Sequence, residues 1–158
     1  MGAVRRRPLS LTAEEEAFWR GFLRALTLVP RALETDLMTA HALSLSDYCG
    51  LMHLSEAPGR RMRMGELAER CGLSLSGTTR VVNRLEGQGL LRREPCAGDG
   101  RGWHAVLTDA GLARLRRAWP AHVASVRRNV IRHTRDLDLS AVAVAMSHFA
   151  TDYPHRSF

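Results

Sequence analysis

At 158 residues, 45% of them hydrophobic and 25% charged, the chain is long enough to bury a sizeable core and too ordinary in composition for a disordered or fibrous protein. Its formal net charge of +7 points to a polyanionic partner, and no apolar run approaches membrane-spanning length. All 23 cationic side chains are arginine, a bias that GC-rich coding also produces, so the preference for arginine over lysine carries no recognition argument. Cys49, Cys71 and Cys96 are odd in number, lie far apart and form no C-x-x-C, and no apolar segment follows the N-terminal arginines. A reduced cytoplasmic protein, not membrane-bound, is the expectation.

Thr12 and Glu15 have the spacing of a capping box opening a long first helix. Phe18, Phe22, Leu26, Val29, Leu33 and Leu37 then recur at steps of three and four, one apolar face that continues past Pro30, so the proline should kink the helix without ending it. Ser44 and Asp47 fit a second helix carrying Tyr48, Leu51, Met52 and Leu54, which Pro58-Gly59 stops. Arg60 to Met64 alternates like a minor strand. Glu66 to Cys71 predicts a short helix with Leu67, Ala68 and Cys71 on one side, and Gly72 follows at a corner. Ser74 can cap the next helix, whose inner face is Thr78, Val82 and Leu85 and whose C-terminal cap is Gly89. Leu90–Cys96 and Trp103–Leu107 predict a hairpin turned by Gly98, Gly100 and Gly102. Thr108 opens a third long helix with Leu112, Leu115, Trp119, Val123, Val126 and Val130 on one side. A last helix from about Ser140 carries Leu139, Val142, Met146 and Phe149.

Long helices at both ends therefore flank a compact α/β module. The wide apolar faces of the end helices cannot complete a core in one copy, which predicts a symmetric homodimer. The expected division is 1–43 and 109–158 for dimerisation, with 44–108 as the DNA-binding domain.

A recognition helix that enters a major groove needs small or polar residues at its N-terminal end. Ser74, Ser76, Gly77, Thr78 and Thr79 satisfy that requirement, although Ser74 also reads as a plain cap and Thr78 or Thr79 as inward packing. Arg80 and Arg84, four apart on one face, suit a phosphate clamp or a guanine contact; solvated charge is the competing reading. Arg101 at the glycine-flanked hairpin tip can reach a minor groove, with Asp99 holding its guanidinium. Of Arg92 and Arg93, strand neighbours on opposite faces, only one is expected to touch the DNA backbone, and Arg93 is the candidate. Trp103 is expected to pack on the hairpin. A ligand pocket, if present, should lie where the long helices meet this module, with Trp19, Phe22, Tyr48, Met52, Trp119 and His122 as candidates against ordinary core or dimer packing. The histidines show no metal-ligand spacing, Cys71 reads as inert packing, and no nucleophile motif, phosphate loop or acid–base cluster appears. No metal, cofactor or enzymatic activity is expected.

The run LAERCGLSLSGTTRVVNRLEGQGLLRREP, then D-G-R-G and LTDAG, resembles the winged helix-turn-helix of the MarR family of bacterial transcription regulators. The ordered set, more than any one motif, carries the likeness. It implies a mainly α fold with a small β-hairpin wing and long N- and C-terminal dimerisation helices that interlock. It further implies sequence-specific binding to pseudo-palindromic double-stranded operators, usually as a repressor and often relieved by a small aromatic effector. The chain departs from the common family pattern at Gly100, where a second basic residue often stands. Gly100, with Gly77 in the recognition helix, keeps open an alternative: a winged module that reads another protein and does not bind DNA specifically.

Overall fold

A computed structural model describes residues 10–96 and 102–152 of the chain. In order these form α1 (Ala13–His41), α2 (Leu45–Glu56), β1 (Arg61–Arg63), α3 (Met64–Cys71), α4 (Leu75–Gly87), β2 (Leu91–Pro95), β3 (Trp103–Leu107), α5 (Asp109–Asn129) and α6 (Leu139–Asp152). A short 3-10 turn at Pro58–Arg60 separates α2 from β1. The mainly α architecture with a small wing sheet is the expected one.

Local chemistry sets the boundaries. The Thr12–Glu15 capping box closes in both directions, with Glu15 N donating to Thr12 Oγ1 at 3.2 Å and Thr12 N to Glu15 Oε2 at 2.8 Å. Ser44, Ser74 and Thr108 each accept from the amide three residues on, at 3.0, 3.1 and 3.0 Å. Helix α4 ends through Gly89, whose φ of +69° lets its N–H donate to Glu86 O and Leu90 N to Leu85 O, both at 2.9 Å. Helix α1 runs on through Pro30 and α5 through Pro120. Helix α3 starts at Met64, two residues before the expected Glu66.

The sheet has the order β1-β3-β2, antiparallel throughout. Arg61 lies opposite Val106, and Leu91 opposite Leu107. The minor strand thus completes a three-stranded wing sheet. Thr108 ties it to α5: its Oγ1 donates to Gly89 O at 2.8 Å while its N–H reaches Leu90 O at 3.2 Å. At Gly111 the backbones come so close that a Cβ would stand 2.0 Å from Leu90 O and 2.6 Å from Leu107 Cδ1. Only glycine lets α5 leave the sheet at this point.

One apolar cluster joins Leu37 of α1, Tyr48, Leu51 and Leu54 of α2, Leu67 of α3, Val82 and Leu85 of α4, Leu91 and Leu107 of the sheet, and Leu115 and Ala118 of α5. Val81 is buried with Val82, which widens the inner face of α4 beyond the expected three residues. Cys71 is half-buried at the edge of the cluster. Polar contacts fix α1 against its neighbours. Glu34 Oε2 accepts from Leu45 N at 2.5 Å, and Arg114 donates to His41 O. Asp36 accepts from Ser125 Oγ, from Arg128 Nη2 at 2.5 Å and from Asn129 Nδ2 at 3.3 Å. The Ser125 hydrogen bond, helped by Arg128 and Asn129 against partial desolvation, holds the Asp36 carboxyl below its ordinary range.

The expected apolar face of α1 closes over only part of its length. Leu37 is buried, but Phe18 and Leu26 are 61% and 56% exposed, because among the described residues little packs on the outer half of α1. Phe149 of α6 reaches Phe22 there, with ring centroids 5.7 Å apart.

Candidate nucleic-acid interface

Helix α4 is mounted with its inner side in the core and its first turn at the surface. Ser74, Ser76, Thr79 and Arg80 are exposed, and Gly77 is half-buried beneath the Ser74 cap. The Ser74 and Ser76 hydroxyls lie 3.1 Å apart, and Thr79 Oγ1 donates to Leu75 O at 2.9 Å. Thr78 belongs to the other side. It is 1% exposed, with Oγ1 donating to Ser74 O at 3.1 Å, so its expected place at the interface gives way to its inward alternative.

Arg80 and Arg84 separate sharply. Arg80 is exposed and forms no ion pair among the described residues. Arg84 reaches back to α2: its Nε lies 2.9 Å from Asp47 Oδ2 and its Nη2 2.6 Å from Asp47 Oδ1, with Ser44 Oγ at 3.4 Å. The Asp47 hydrogen bonds raise the Arg84 pKa further above its already high value. Asp47 is 4% exposed, so this bidentate pair replaces most of its water and bolts the last turn of α4 onto α2. The shared face expected for the two arginines therefore divides into one outward guanidinium and one inward bracket.

Arg92 and Arg93 do point to opposite sides of β2. Arg92 pairs with Glu94 at 2.6 Å. Arg93 turns to α4, where its N–H donates to Glu86 Oε1 at 3.0 Å and its guanidinium meets Glu86 at 3.5 Å and Asn83. Arg93 is thus partly committed to bracing the wing. Asp99 and Arg101, with the turn glycines Gly98 and Gly100, lie outside the described residues.

An open cleft of about 980 Å³ separates α3 and the first turn of α4 from the base of the hairpin. Its walls include Arg63, Glu66, Leu75, Thr79, Arg93 and Trp103. Trp103, expected to pack on the hairpin, instead leaves 48% of its surface to solvent.

The six candidate pocket residues fall into two groups. Tyr48 is fully buried and stacks on His122 with centroids 4.2 Å apart, and Trp119 lies 6.4 Å from His122. Met52 packs beside the core cluster that contains Tyr48. Trp19 and Phe22 meet each other, Phe18 and Phe149 on the outer part of α1. Among the described residues neither Tyr48 Oη nor His122 Nδ1 has a hydrogen-bond partner. Burial, with smaller contributions from Cys49 and Glu56, pushes the Tyr48 hydroxyl up to about 12, and burial lowers the His122 imidazole.

Burial also raises the Cys49 thiol and, helped by Cys49, pushes that of Cys71 up to about 11, away from thiolate chemistry. Cys96 Sγ lies 3.1 Å from His104 Nδ1 across the hairpin, a pairing that spacing alone did not suggest. Among the described residues no group of three or more His, Cys, Asp or Glu could hold a metal ion. No helix there is long and apolar enough to cross a membrane.

Comparison with known proteins places this geometry among transcription regulators. A family model described as MarR family matches residues 43–102. The structure of Sco3205, a MarR family transcriptional regulator from Streptomyces coelicolor determined in complex with DNA, is similar at 36% identity over 96% of this chain and 95% of that one, with a TM-score of 0.86. AbsC, a MarR family transcriptional regulator also from Streptomyces coelicolor, is 39% identical over 92% of this chain and 97% of its own, with a TM-score of 0.81. A MarR family regulator from Silicibacter pomeroyi is 26% identical over 96% of this chain and 99% of its own, with a TM-score of 0.72. No curated protein matches.

Proposed function

The chain belongs to the MarR family of transcriptional regulators, and from that premise we propose that it is a dimeric, sequence-specific double-stranded DNA-binding repressor. The observation that carries this reading is the first turn of α4. Ser76, Thr79 and Arg80 stand exposed on a helix whose last turn is bolted to α2 by the Asp47–Arg84 pair. A major-groove reader needs small side chains in front and rigid support behind, and α4 has both.

Ser74, Ser76, Gly77, Thr79 and Arg80 are the contacts expected of this helix, with Arg80 on a guanine or a phosphate. Arg84 acts as a positioning residue through Asp47. Arg93 braces the wing while lining the cleft, and Asp99 and Arg101 are assigned the minor-groove contact at its tip. The similarity to Sco3205, whose structure was determined with DNA, supports the same mode of binding here.

Two copies would meet through the terminal segments 1–43 and 109–158, leaving 44–108 to engage DNA. The exposed Phe18, Trp19, Leu23 and Leu26 of α1, with Val144, Met146 and Phe149 of α6, support that pairing. A small aromatic effector would bind beside Tyr48, His122 and Trp119, where two polar atoms lack partners among the described residues and α2 meets α5. Pressure on α2 there would be felt by Asp47, one residue from Tyr48, and so by the recognition helix.

The test is a titration with duplex DNA from upstream of the protein's own gene against random duplex. Tight binding to the first that weakens steeply with salt is expected. Equal affinity for both at physiological salt would overturn specific regulation and favour a winged module that reads another protein.

A further inference from the structure

The cleft between α4 and the hairpin base contains a side chain that neither the motif nor the helix-in-groove reading uses. Trp103 opens β3 opposite Pro95, directly after Gly102, and 48% of its surface is uncovered. Across the cleft stands Leu75, the first residue of α4, which is 57% exposed. Two large apolar side chains facing one solvent-filled space are costly unless something covers them. Arg63 and Arg93 line the same space, as does Thr79 from the recognition helix. Glu66 and Glu69 line it from α3, and Glu66 is drawn toward Arg70 at 3.5 Å.

We infer that this cleft grips the sugar–phosphate backbone of one DNA strand, with the Trp103 indole lying on a deoxyribose. The inference rests on the DNA-binding reading above and adds a contact to it. If α4 occupies a major groove and the hairpin tip reaches the next minor groove, the strand between the two grooves must pass through the space between α4 and the hairpin base. The chemistry of the walls suits such a strand. The indole and Leu75 offer apolar faces to the sugar, and the indole N–H can donate to a phosphate oxygen. Arg63 and Arg93 supply positive charge, and the two glutamates on α3 steer the phosphates toward the hairpin wall. Because the contact is to backbone, it strengthens binding to every sequence and selects none.

The experiment uses the full chain with Trp19→Phe and Trp119→Phe, which leaves Trp103 as the sole tryptophan of the three. Its emission and its quenching by acrylamide are followed while labelled duplex from upstream of the gene, and then random duplex, is titrated in. Anisotropy of the label reports binding in the same cuvette. The expected result is a Trp103 accessible in the free protein and shielded in step with the anisotropy rise on both duplexes. In the otherwise unaltered chain, Trp103→Ala should weaken both duplexes alike, by about tenfold, while Trp103→Phe, which keeps the apolar face, recovers part of the loss. Anisotropy that rises while Trp103 stays accessible, with Trp103→Ala binding like the parent, would overturn the inference and leave DNA binding standing. No anisotropy change with any duplex in the chain that keeps all three tryptophans would remove both. A Trp103 already shielded in the free protein would mean that a second protein surface covers it, which also overturns the inference.

Discussion

The module running from Leu43 to Ala118 and the outer halves of α1 and α6 draw on equally apolar residues, yet only the first closes on itself. In the module Leu43, Tyr48, Leu51, Leu54, Leu67, Val82, Leu85 and Ala118 are each essentially or wholly buried. On the terminal helices Phe18, Leu23, Leu26, Val144 and Phe149 are each more than 40% exposed. The module has elements on every side of its core: α2, α3, α4, the sheet and the start of α5. Among the described residues the outer half of α1 has little beside it except α6. Amphipathic periodicity thus tells which face of a helix seeks cover, whereas burial depends on whether the same chain brings a second surface to it. Stability of one protomer should reside in the module, and association in the ends.

Four perturbations would break or sharpen that contrast, beginning with the largest. Gly111→Ala drives a Cβ into Leu90 O and should cost about 3 kcal/mol in denaturant unfolding, since neither backbone can retreat without moving the sheet. Arg84→Ala leaves Asp47 buried and unpaired. A cost of about 2 kcal/mol is expected, below that of a fully buried pair because the Arg84 side chain is 45% exposed. Arg80→Ala, four residues earlier, should leave stability within about 0.5 kcal/mol and instead flatten the salt dependence of DNA binding. Leu26→Glu should leave the module folded by circular dichroism while weakening self-association by about 1.5 kcal/mol, read by sedimentation, because it sets a charge in a face that pairing would bury.

The smallest effect concerns pH. Burial lowers the His122 pKa in the folded protein, so folding favours the neutral ring. Its contribution is complete above the ordinary histidine value of 6.5 and is lost as the pH falls below it, because the unfolded chain then binds the proton more readily. Unfolding of the parent should become easier between pH 7 and pH 5.5, and His122→Phe should flatten that dependence.

Much of this was legible in the sequence where the interaction is local. The Thr12 box, the Ser44, Ser74 and Thr108 caps and the Gly89 stop each involve partners within a few residues, so spacing alone located them. The end helices announced their uncovered faces through periodicity. What spacing could not supply was contact across the chain. Arg80 and Arg84 look equivalent on a helical wheel, and only the arrival of Asp47, thirty-seven residues earlier, assigns one of them to the interior. Thr78 differs: spacing does set it with Val82 and Leu85 on the inner face of α4, and packing buries it there while Thr79 stays exposed, so only its second reading as a groove contact falls away. Trp103 misled for the opposite reason: a strand tryptophan usually finds a neighbour, but here its side of β3 opens onto the cleft.

The central claim, that two copies of this module read one duplex with α4 in the major groove, is tested most directly by hydroxyl-radical footprinting of the purified protein on DNA upstream of its own gene. Two protected half-sites related by a two-fold axis are expected, with centres about one helical turn apart. Both should be lost together in Leu26→Glu at concentrations where that variant is monomeric. A single protected half-site, or two that survive in the monomer, would contradict it.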